Sequence, residues 1–195
     1  KKDMSKIIYV HEGKKAVSKG RNKLLNVRYF TDAKQGSEEL WLDVANYIEE
    51  AYNSETIRKV YISGDGASWI KEGLNWIEKS VFVLDKFHLA KYIRTATAHM
   101  DYTREPLWNY INQGMKQAAS DLLDIILNNT ESRHKRDTVR EAKSYILNNW
   151  EAIQRQKDKD YIGCSAEGHV SHVLSARLSS RPKGWSEEGM EQMAR

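Results

Sequence analysis

Two short segments, Val60-Tyr-Ile-Ser-Gly-Asp65-Gly66 and Val81-Phe-Val-Leu-Asp85-Lys-Phe-His88, decide the fold that this sequence predicts. Each is a run of β-branched, aromatic or other apolar residues that ends in an aspartate. Such runs are typical of buried strands, and the aspartate then stands at the carboxyl end of the strand. We therefore predict two buried strands that bring Asp65 and Asp85 to one edge of a sheet.

A third acidic residue, Glu167, stands in Cys164-Ser-Ala-Glu-Gly-His-Val-Ser-His172, at the start of a predicted helix. It shares one face of that helix with the apolar stripe that should pack on the sheet, Val170, Leu174 and Leu178. A carboxylate in line with a buried face needs a partner or a cation. Carboxylates that converge from separate elements suit two Mg²⁺ ions acting on a phosphodiester, which predicts metal-dependent chemistry on a nucleic acid backbone.

The elements around these acids follow from hydrophobic periodicity. Residues 6–11 and 24–30 predict two strands that pair as a hairpin, joined by a Gly- and Lys-rich stretch over residues 13–22. A helix is predicted from Ser37 as N-cap, and a shorter one over residues 66–79. The short helix should enclose Trp69, Ile70, Trp76 and Ile77.

Beyond Tyr92 the apolar spacing becomes helical and stays so. One long helix is predicted from near Pro106 to Ile126. A second should carry Val139, Ala142, Ile146, Trp150 and Ile153. The polar run Asn128 to Asp137 between them is a solvated turn or a basic contact patch, and we favour the turn.

These elements predict an α/β fold with three parts. Residues 1–92 form the core, residues 93–160 form an all-helical insertion, and residues 161–195 carry Glu167 and a basic tail. A chain of 195 residues can bury a core of this size.

Charge, cysteine content and hydropathy indicate which partners and which cellular compartment to expect. The chain has 31 Lys and Arg against 27 Asp and Glu, a net charge of +4, and a pI of about 9.0, which favours polyanionic partners. Cys164 is the single cysteine, which excludes an intrachain disulfide and fits a reducing compartment. No apolar run approaches the roughly 20 residues that span a bilayer. We therefore expect no membrane partner and a cytoplasmic protein.

Each chemical assignment competes with a structural one. Asp65 is either a metal ligand or the cap of a Gly-Asp-Gly turn. Asp85 is a metal ligand, a helix cap or a group that orients His88, and the last two are favoured. His88 is more often a structural residue at such a position than a catalytic one.

A basic and aromatic tract follows the predicted Glu167 helix. Its members are Arg177, Arg181, Lys183 and Trp185. Phosphate contacts and base stacking would suit a nucleic acid strand, but an ordinary exposed C-terminal segment explains the tract equally well.

The element order resembles the RNase H-like fold of DDE transposases, in which a mixed sheet is flanked by helices and an insertion precedes the last catalytic helix. Residues 61–70, 82–89, 164–174 and 179–185 look like the transposases of a bacterial insertion-sequence family, the ISLre type, related to Mutator-like elements. The likeness extends over essentially the whole chain. It implies DNA strand cleavage and strand transfer with two Mg²⁺ or Mn²⁺ ions.

The resemblance also implies roles for individual residues. Asp65 matches the second Asp of the triad, Glu167 matches the Glu, and His88 matches a His of the Mutator-like enzymes. Asp85 stands where a Cys usually lies, which leaves its role open. The family's first Asp belongs on a strand before the hairpin, and we count four strands where the fold has five. We therefore expect that first strand and its Asp to lie outside this chain, and Glu12 to be an unsuitable substitute.

The sequence thus predicts a fragment of a transposase catalytic domain that is inactive alone. Its partners would be double-stranded DNA, as transposon ends and target, and further copies of the chain, in the nucleoid of a bacterial cytoplasm. Two alternatives stay open: a related RNase H-like nuclease or resolvase, and a catalytically silent module for DNA binding or assembly.

Overall fold

The computed structural model describes residues 6–18, 21–31 and 36–164, and the fold is mixed α/β. This part of the chain contains six strands, where we counted four, together with seven α-helices and three single-turn 3₁₀ helices. Its residues divide into two compact units. The first holds the described residues up to 62 with residues 68–81 and 162–164, and the second holds residues 63–67 and 82–161.

The first unit begins with two antiparallel strand pairs. Strand β1 (Ile7–Val10) pairs with β4 (Arg28–Thr31), from Ile7 opposite Thr31 to Val10 opposite Arg28. This confirms the predicted pairing in part, because the second strand predicted over residues 24–30 is interrupted after Leu25 and resumes at Arg28. The connection between β1 and β4 is not a loop, however, because β2 (Gly13–Ser18) pairs with β3 (Arg21–Leu25). The Glu12 amide donates to the Leu25 carbonyl over 3.1 Å, which continues the hydrogen bonding from one pair toward the next.

Helix α1 (Ser37–Ala51) follows and buries Leu40, Trp41 and Val44. The predicted N-cap is wrong by one residue, because Gly36 occupies that position and Ser37 is the first helical residue. Glu38 and Glu39 lie in the first turn, where acidic side chains interact favourably with the helix dipole.

The predicted helix over residues 66–79 is two single turns, α2 (Ser68–Lys71) and a 3₁₀ helix (Glu72–Asn75). Of the four residues expected inside it, only Ile77 is buried. Gly73 explains the tight geometry, since a Cβ there would lie 2.7 Å from three ring atoms of Trp41. The Trp41 indole nitrogen donates to the Trp69 carbonyl over 2.7 Å, which fixes the ring in this place.

The two strands that decide the fold are present as predicted. Strand β5 (Val60–Gly64) and strand β6 (Ser80–Leu84) form a two-stranded sheet. The Val60 amide donates to the Lys79 carbonyl over 3.1 Å, and the Asp85 amide donates to the Gly64 carbonyl over 2.8 Å. The two partners are about 20 residues apart in the sequence in both bonds, so the pairing advances in the same direction along both strands. The strands are therefore parallel, and their carboxyl ends meet at one edge of the sheet.

The outer edge of β6 is covered by side chains. Arg155 donates to the Phe82 carbonyl over 3.1 Å, and Gln156 donates to the Leu84 carbonyl over 2.7 Å. Alternate residues of a strand direct their carbonyls to opposite edges, and the Asp85 amide already bonds toward β5. These two side chains therefore satisfy acceptors on the side of β6 away from β5.

The second unit is largely helical. It contains α3 (Lys86–Ala96), α4 (Arg104–Gln113), α5 (Lys116–Asn128), α6 (Arg133–Asn148) and α7 (Trp150–Gln154). Two further 3₁₀ turns lie at Asp101–Thr103 and Arg155–Lys157. The largest fully buried side chains of its core include Leu89, Ile93, Leu107, Ile111, Leu123, Ile126 and Ile146.

The predicted long helix from Pro106 to Ile126 is wrong, because α4 and α5 are separate. Gly114 ends α4 with φ of +74°, a left-handed conformation that glycine adopts without steric penalty. The break changes which residues are buried. Met115 is 45% exposed and Ile125 is 53% exposed, whereas Ala119 and Leu123 are buried.

The second predicted apolar set is confirmed, since Val139, Ala142, Ile146, Trp150 and Ile153 are all buried. A junction at Asn149 nevertheless divides it between α6 and α7. The polar run Asn128 to Asp137 is a turn only over residues 129–132, because α6 already begins at Arg133. No described helix has the length and apolar character needed to cross a membrane.

Candidate functional site

Asp65 and Asp85 follow the last residues of β5 and β6, and both belong to the second unit. Because these parallel strands are hydrogen bonded to each other, the two aspartates stand at the same sheet edge, as predicted. Their carboxylates differ in environment. Asp65 is exposed, whereas Asp85 is only 7% exposed.

The turn at Asp65 is held by its own side chain. Oδ1 of Asp65 accepts a hydrogen bond from the Ala67 amide over 2.9 Å, so the predicted capped turn is present. Gly66 has φ of +89°, and a Cβ there would lie 3.4 Å from Oδ1 of Asn149. A side chain at position 66 would therefore be strained. The exposed carboxylate remains open to a cation while it holds this turn.

Asp85 is the N-cap of α3. Its Oδ1 accepts a hydrogen bond from the Phe87 amide over 2.6 Å, and its backbone has the extended conformation of a cap residue. The favoured prediction of a helix cap is therefore confirmed. The accompanying prediction that Asp85 orients His88 finds no support at Nδ1, because that nitrogen has no hydrogen-bond partner.

His88 is a half-buried residue with an unsatisfied atom. Its Nδ1 is buried without a partner, and its ring meets Phe87 edge to face with centroids 5.5 Å apart. A buried polar atom that lacks a hydrogen bond destabilises the folded state by roughly 1–3 kcal/mol.

One tyrosine contacts the Asp65 turn and a second stacks on that tyrosine, and nothing in the local sequence pointed to either. Tyr145 of α6 donates its hydroxyl hydrogen to the backbone carbonyl of Asp65 over 2.6 Å. Its ring stacks on Tyr92 of α3, with centroids 3.7 Å apart and an angle of 19° between the ring planes. The helical segment therefore contacts the Asp65 turn directly.

The charges of the site act on these phenols. The pKa of Tyr145 is raised well above its usual value, mainly by burial. Electrostatic interactions with Tyr92, Asp65 and Asp85 raise this pKa further. The pKa of Tyr92 is also raised, first by burial, then by the charge and hydrogen bond of Glu141 and by the charge of Asp65. The Tyr145 hydroxyl therefore stays protonated and able to donate at neutral pH.

Several predicted site residues lie outside the described part of the chain. They are Glu167, Arg177, Arg181, Lys183 and Trp185. Within residues 6–18, 21–31 and 36–164, no group of three His, Cys, Asp or Glu side chains could hold a metal ion. The donors that are described at the edge, Asp65 and Asp85, offer carboxylate oxygens, the ligand type that Mg²⁺ prefers.

Glu12 is engaged in the first unit. Its two carboxylate oxygens accept from Asn26 over 2.7 Å and from the Tyr52 hydroxyl over 3.0 Å. These bonds give Glu12 a structural role in the first unit.

A family model for an uncharacterised protein family, UPF0236, matches residues 1–195. The chain belongs to the UPF0236 family. Two UPF0236 proteins of Caldanaerobacter subterraneus subsp. tengcongensis are each 50% identical to it over 191 residues, 97% of this chain, and 41% and 39% of their own lengths are covered. A UPF0236 protein in the vanSb 3' region of Streptococcus gallolyticus is 28% identical over 200 residues, with 95% of this chain and 42% of that protein covered.

The UPF0236 chain therefore spans about two fifths of the length of the curated relatives that it matches. No solved structure matches it. In its second unit, the exposed Asp65 carboxylate lies on a turn that hydrogen bonds from Ala67 and Tyr145 hold in place.

Proposed function

We propose that this UPF0236 chain is part of the catalytic domain of a DNA transposase that cleaves DNA strands and transfers them to a target. The observation that carries the proposal is the meeting of Asp65 and Asp85 at the carboxyl edge of the parallel strands β5 and β6. The motif resemblance of residues 61–70, 82–89, 164–174 and 179–185 supports the same function. The described element order, an antiparallel pair, a helix and two parallel strands, is compatible with an RNase H-like core.

Asp65 and Glu167 would hold two Mg²⁺ or Mn²⁺ ions together with the first aspartate of the triad that the resemblance implies. When bound, the ions supply activation of water or a 3′-hydroxyl and stabilisation of the leaving oxygen. Asp65 suits its part because its carboxylate is exposed and its turn is fixed. Asp85 supports α3 as a cap, and His88 would take the part of the His that it matches in the Mutator-like enzymes.

The names of the relatives give separate support. One UPF0236 protein of C. subterraneus, 50% identical to this chain, is named after eleven loci. A coding sequence present at many loci of one genome is what a DNA element leaves when it copies or moves itself. We take this repetition as support for a mobile-element origin.

The partner would be double-stranded DNA, as transposon ends and target. The net charge of +4 favours a polyanion, and the tract Arg177, Arg181, Lys183 and Trp185 would supply phosphate contacts and stacking. Such a protein would work in the bacterial nucleoid, with further copies of itself.

A silent DNA-binding or assembly module is the second candidate. It is favoured by the structural roles of the two described aspartates, because Asp65 holds a turn and Asp85 caps a helix. A related nuclease or resolvase would use the same carboxylates as the transposase.

The test uses a full-length protein that carries this chain, incubated with labelled duplex containing the element ends in Mg²⁺ or Mn²⁺. We expect cleavage and joining, and we expect Asp65→Asn and Glu167→Gln each to abolish both. Asp43→Asn, which alters an exposed acid of α1, is the matched control and should leave activity intact. Cleavage that survives Asp65→Asn would overturn the proposal, and binding without cleavage in every variant would favour the silent module.

A further inference from the structure

The hydroxyl of Tyr145 binds the backbone of Asp65 and not its carboxylate, since the acceptor is the Asp65 carbonyl at 2.6 Å. We propose that Tyr145 is a positioning residue that fixes the Asp65 turn in the orientation in which its carboxylate can hold a metal ion. This inference rests on the proposed function.

The Asp65 turn needs such an anchor. Asp65 lies between Gly64 and Gly66, and glycines leave the backbone more conformations than any other residue. Gly66 already occupies a positive φ of +89°. A hydrogen bond to the Asp65 carbonyl fixes the peptide plane between residues 65 and 66, and the Ala67 amide then fixes the carboxylate relative to that plane. With both bonds in place, one direction of the side chain is strongly preferred.

Tyr145 is itself held firmly enough to serve as the anchor. Its ring stacks on Tyr92 at 3.7 Å, and the next residue of α6, Ile146, is fully buried. One turn later, the Asn149 side-chain amide donates to the Tyr145 carbonyl over 2.9 Å, and its oxygen would lie 3.4 Å from a Cβ at Gly66. The end of α6 therefore lies close to the Asp65 turn, and Tyr145 supplies the hydrogen bond to it.

Tyr92 provides a matched control. Both rings belong to one stack, but the Tyr145 hydroxyl bonds to Asp65 whereas the Tyr92 hydroxyl interacts with Glu141. Tyr145→Phe and Tyr92→Phe each remove one hydroxyl and keep the stacked rings. A difference between the two variants therefore reports the bond to Asp65 and not the packing.

The experiment measures Mn²⁺ binding to the full-length protein by titration calorimetry and by the paramagnetic resonance signal of free Mn²⁺. We expect Tyr145→Phe to weaken binding about three- to tenfold, the effect of one hydrogen bond, and Tyr92→Phe to change it less than about twofold. Amide exchange at Gly66 and Ala67, measured without metal, should accelerate in Tyr145→Phe alone. Unchanged Mn²⁺ binding in Tyr145→Phe, or equal weakening in both variants, would overturn the inference.

Asp65→Asn separates this inference from the proposed function. If Asp65→Asn loses Mn²⁺ binding while Tyr145→Phe binds normally, the positioning role fails and the metal site stands. If Asp65→Asn binds Mn²⁺ as the natural protein does, the metal site fails and the positioning role fails with it.

Discussion

Asp65 and Asp85 show how two residues with the same sequence setting can differ in what they can do. Each accepts an amide hydrogen bond from the residue two positions later, from Ala67 and from Phe87. Asp85 is buried while it does so, and Asp65 is exposed. Exposure leaves Asp65 able to bind a cation from solvent, and burial makes Asp85 mainly a stabiliser of α3.

Replacement of Asp65 by asparagine should leave the stability of the metal-free protein within about 0.5 kcal/mol of its original value, as for exposed positions in general. The amide oxygen of asparagine can still accept from the Ala67 amide. Glu167→Gln should behave in the same way if it serves the same site. Thermal melting without metal measures both. A large loss of stability in both variants would make these acids structural and remove them from the proposed site.

Replacement of Asp85 by alanine should destabilise the protein by about 1–2 kcal/mol, because the first turn of α3 loses its cap. Asp85→Asn keeps an acceptor for the Phe87 amide and should lose less than half of that. Urea unfolding followed by circular dichroism compares the two. Equal losses would show that the charge of Asp85, and not its acceptor, stabilises the fold.

The sequence located the two aspartates because a strand end is a local pattern, an apolar run followed by a polar residue. It could not locate Tyr145, which lies 80 residues after its partner Asp65. Tyr92 and Tyr145 occupy ordinary helix positions, and only tertiary packing brings them together. Sequence patterns alone therefore could not predict that Tyr145 contacts the Asp65 turn.

At the scale of the elements, the helical regions beyond Tyr92 were predicted, but the points at which single helices begin and end were not. The apolar spacing of residues 107–126 is compatible with a single helix, and a lone glycine inside such a pattern is tolerated. The structure instead uses Gly114 to end α4 and starts α5 at Lys116. The hairpin was likewise predicted without β2 and β3, because their exposed lysines lack the apolar alternation of a buried strand.

Replacement of Gly114 by alanine should destabilise the protein by about 1 kcal/mol, since a residue with a Cβ is strained at a φ of +74°. Asparagine tolerates this conformation better and should lose less. Gly13→Ala is the control, because a Cβ there would meet Leu25 at an ordinary 3.5 Å. Thermal melting should rank Gly114→Ala as the least stable. If Gly114→Ala matches the control, the break does not depend on glycine.

At the scale of the whole molecule, net charge governs association with DNA. If Arg177, Arg181 and Lys183 each neutralise one phosphate, raising salt from about 50 to 200 mM should weaken duplex binding roughly 40-fold. Fluorescence anisotropy with labelled duplex measures this slope. Replacing the three residues by alanine should flatten it.

The matched control removes three exposed cations elsewhere, Lys116, Arg133 and Lys135. It should leave the salt slope near its original value. A slope that flattens in this control instead would assign DNA contact to the first turns of α5 and α6, which include Arg133 and Lys135 of the polar run.

The covered edge of β6 has a consequence for how the protein behaves at high concentration. An uncovered strand edge is a template for strands of other molecules and promotes aggregation. Arg155 and Gln156 occupy the Phe82 and Leu84 carbonyls that such a strand would need. Replacing both with alanine should produce concentration-dependent light scattering on mild warming, whereas replacing the exposed Lys159 and Asp160 should not. The Arg155 and Gln156 side chains would thus limit aggregation, because they prevent a strand of another molecule from pairing with β6.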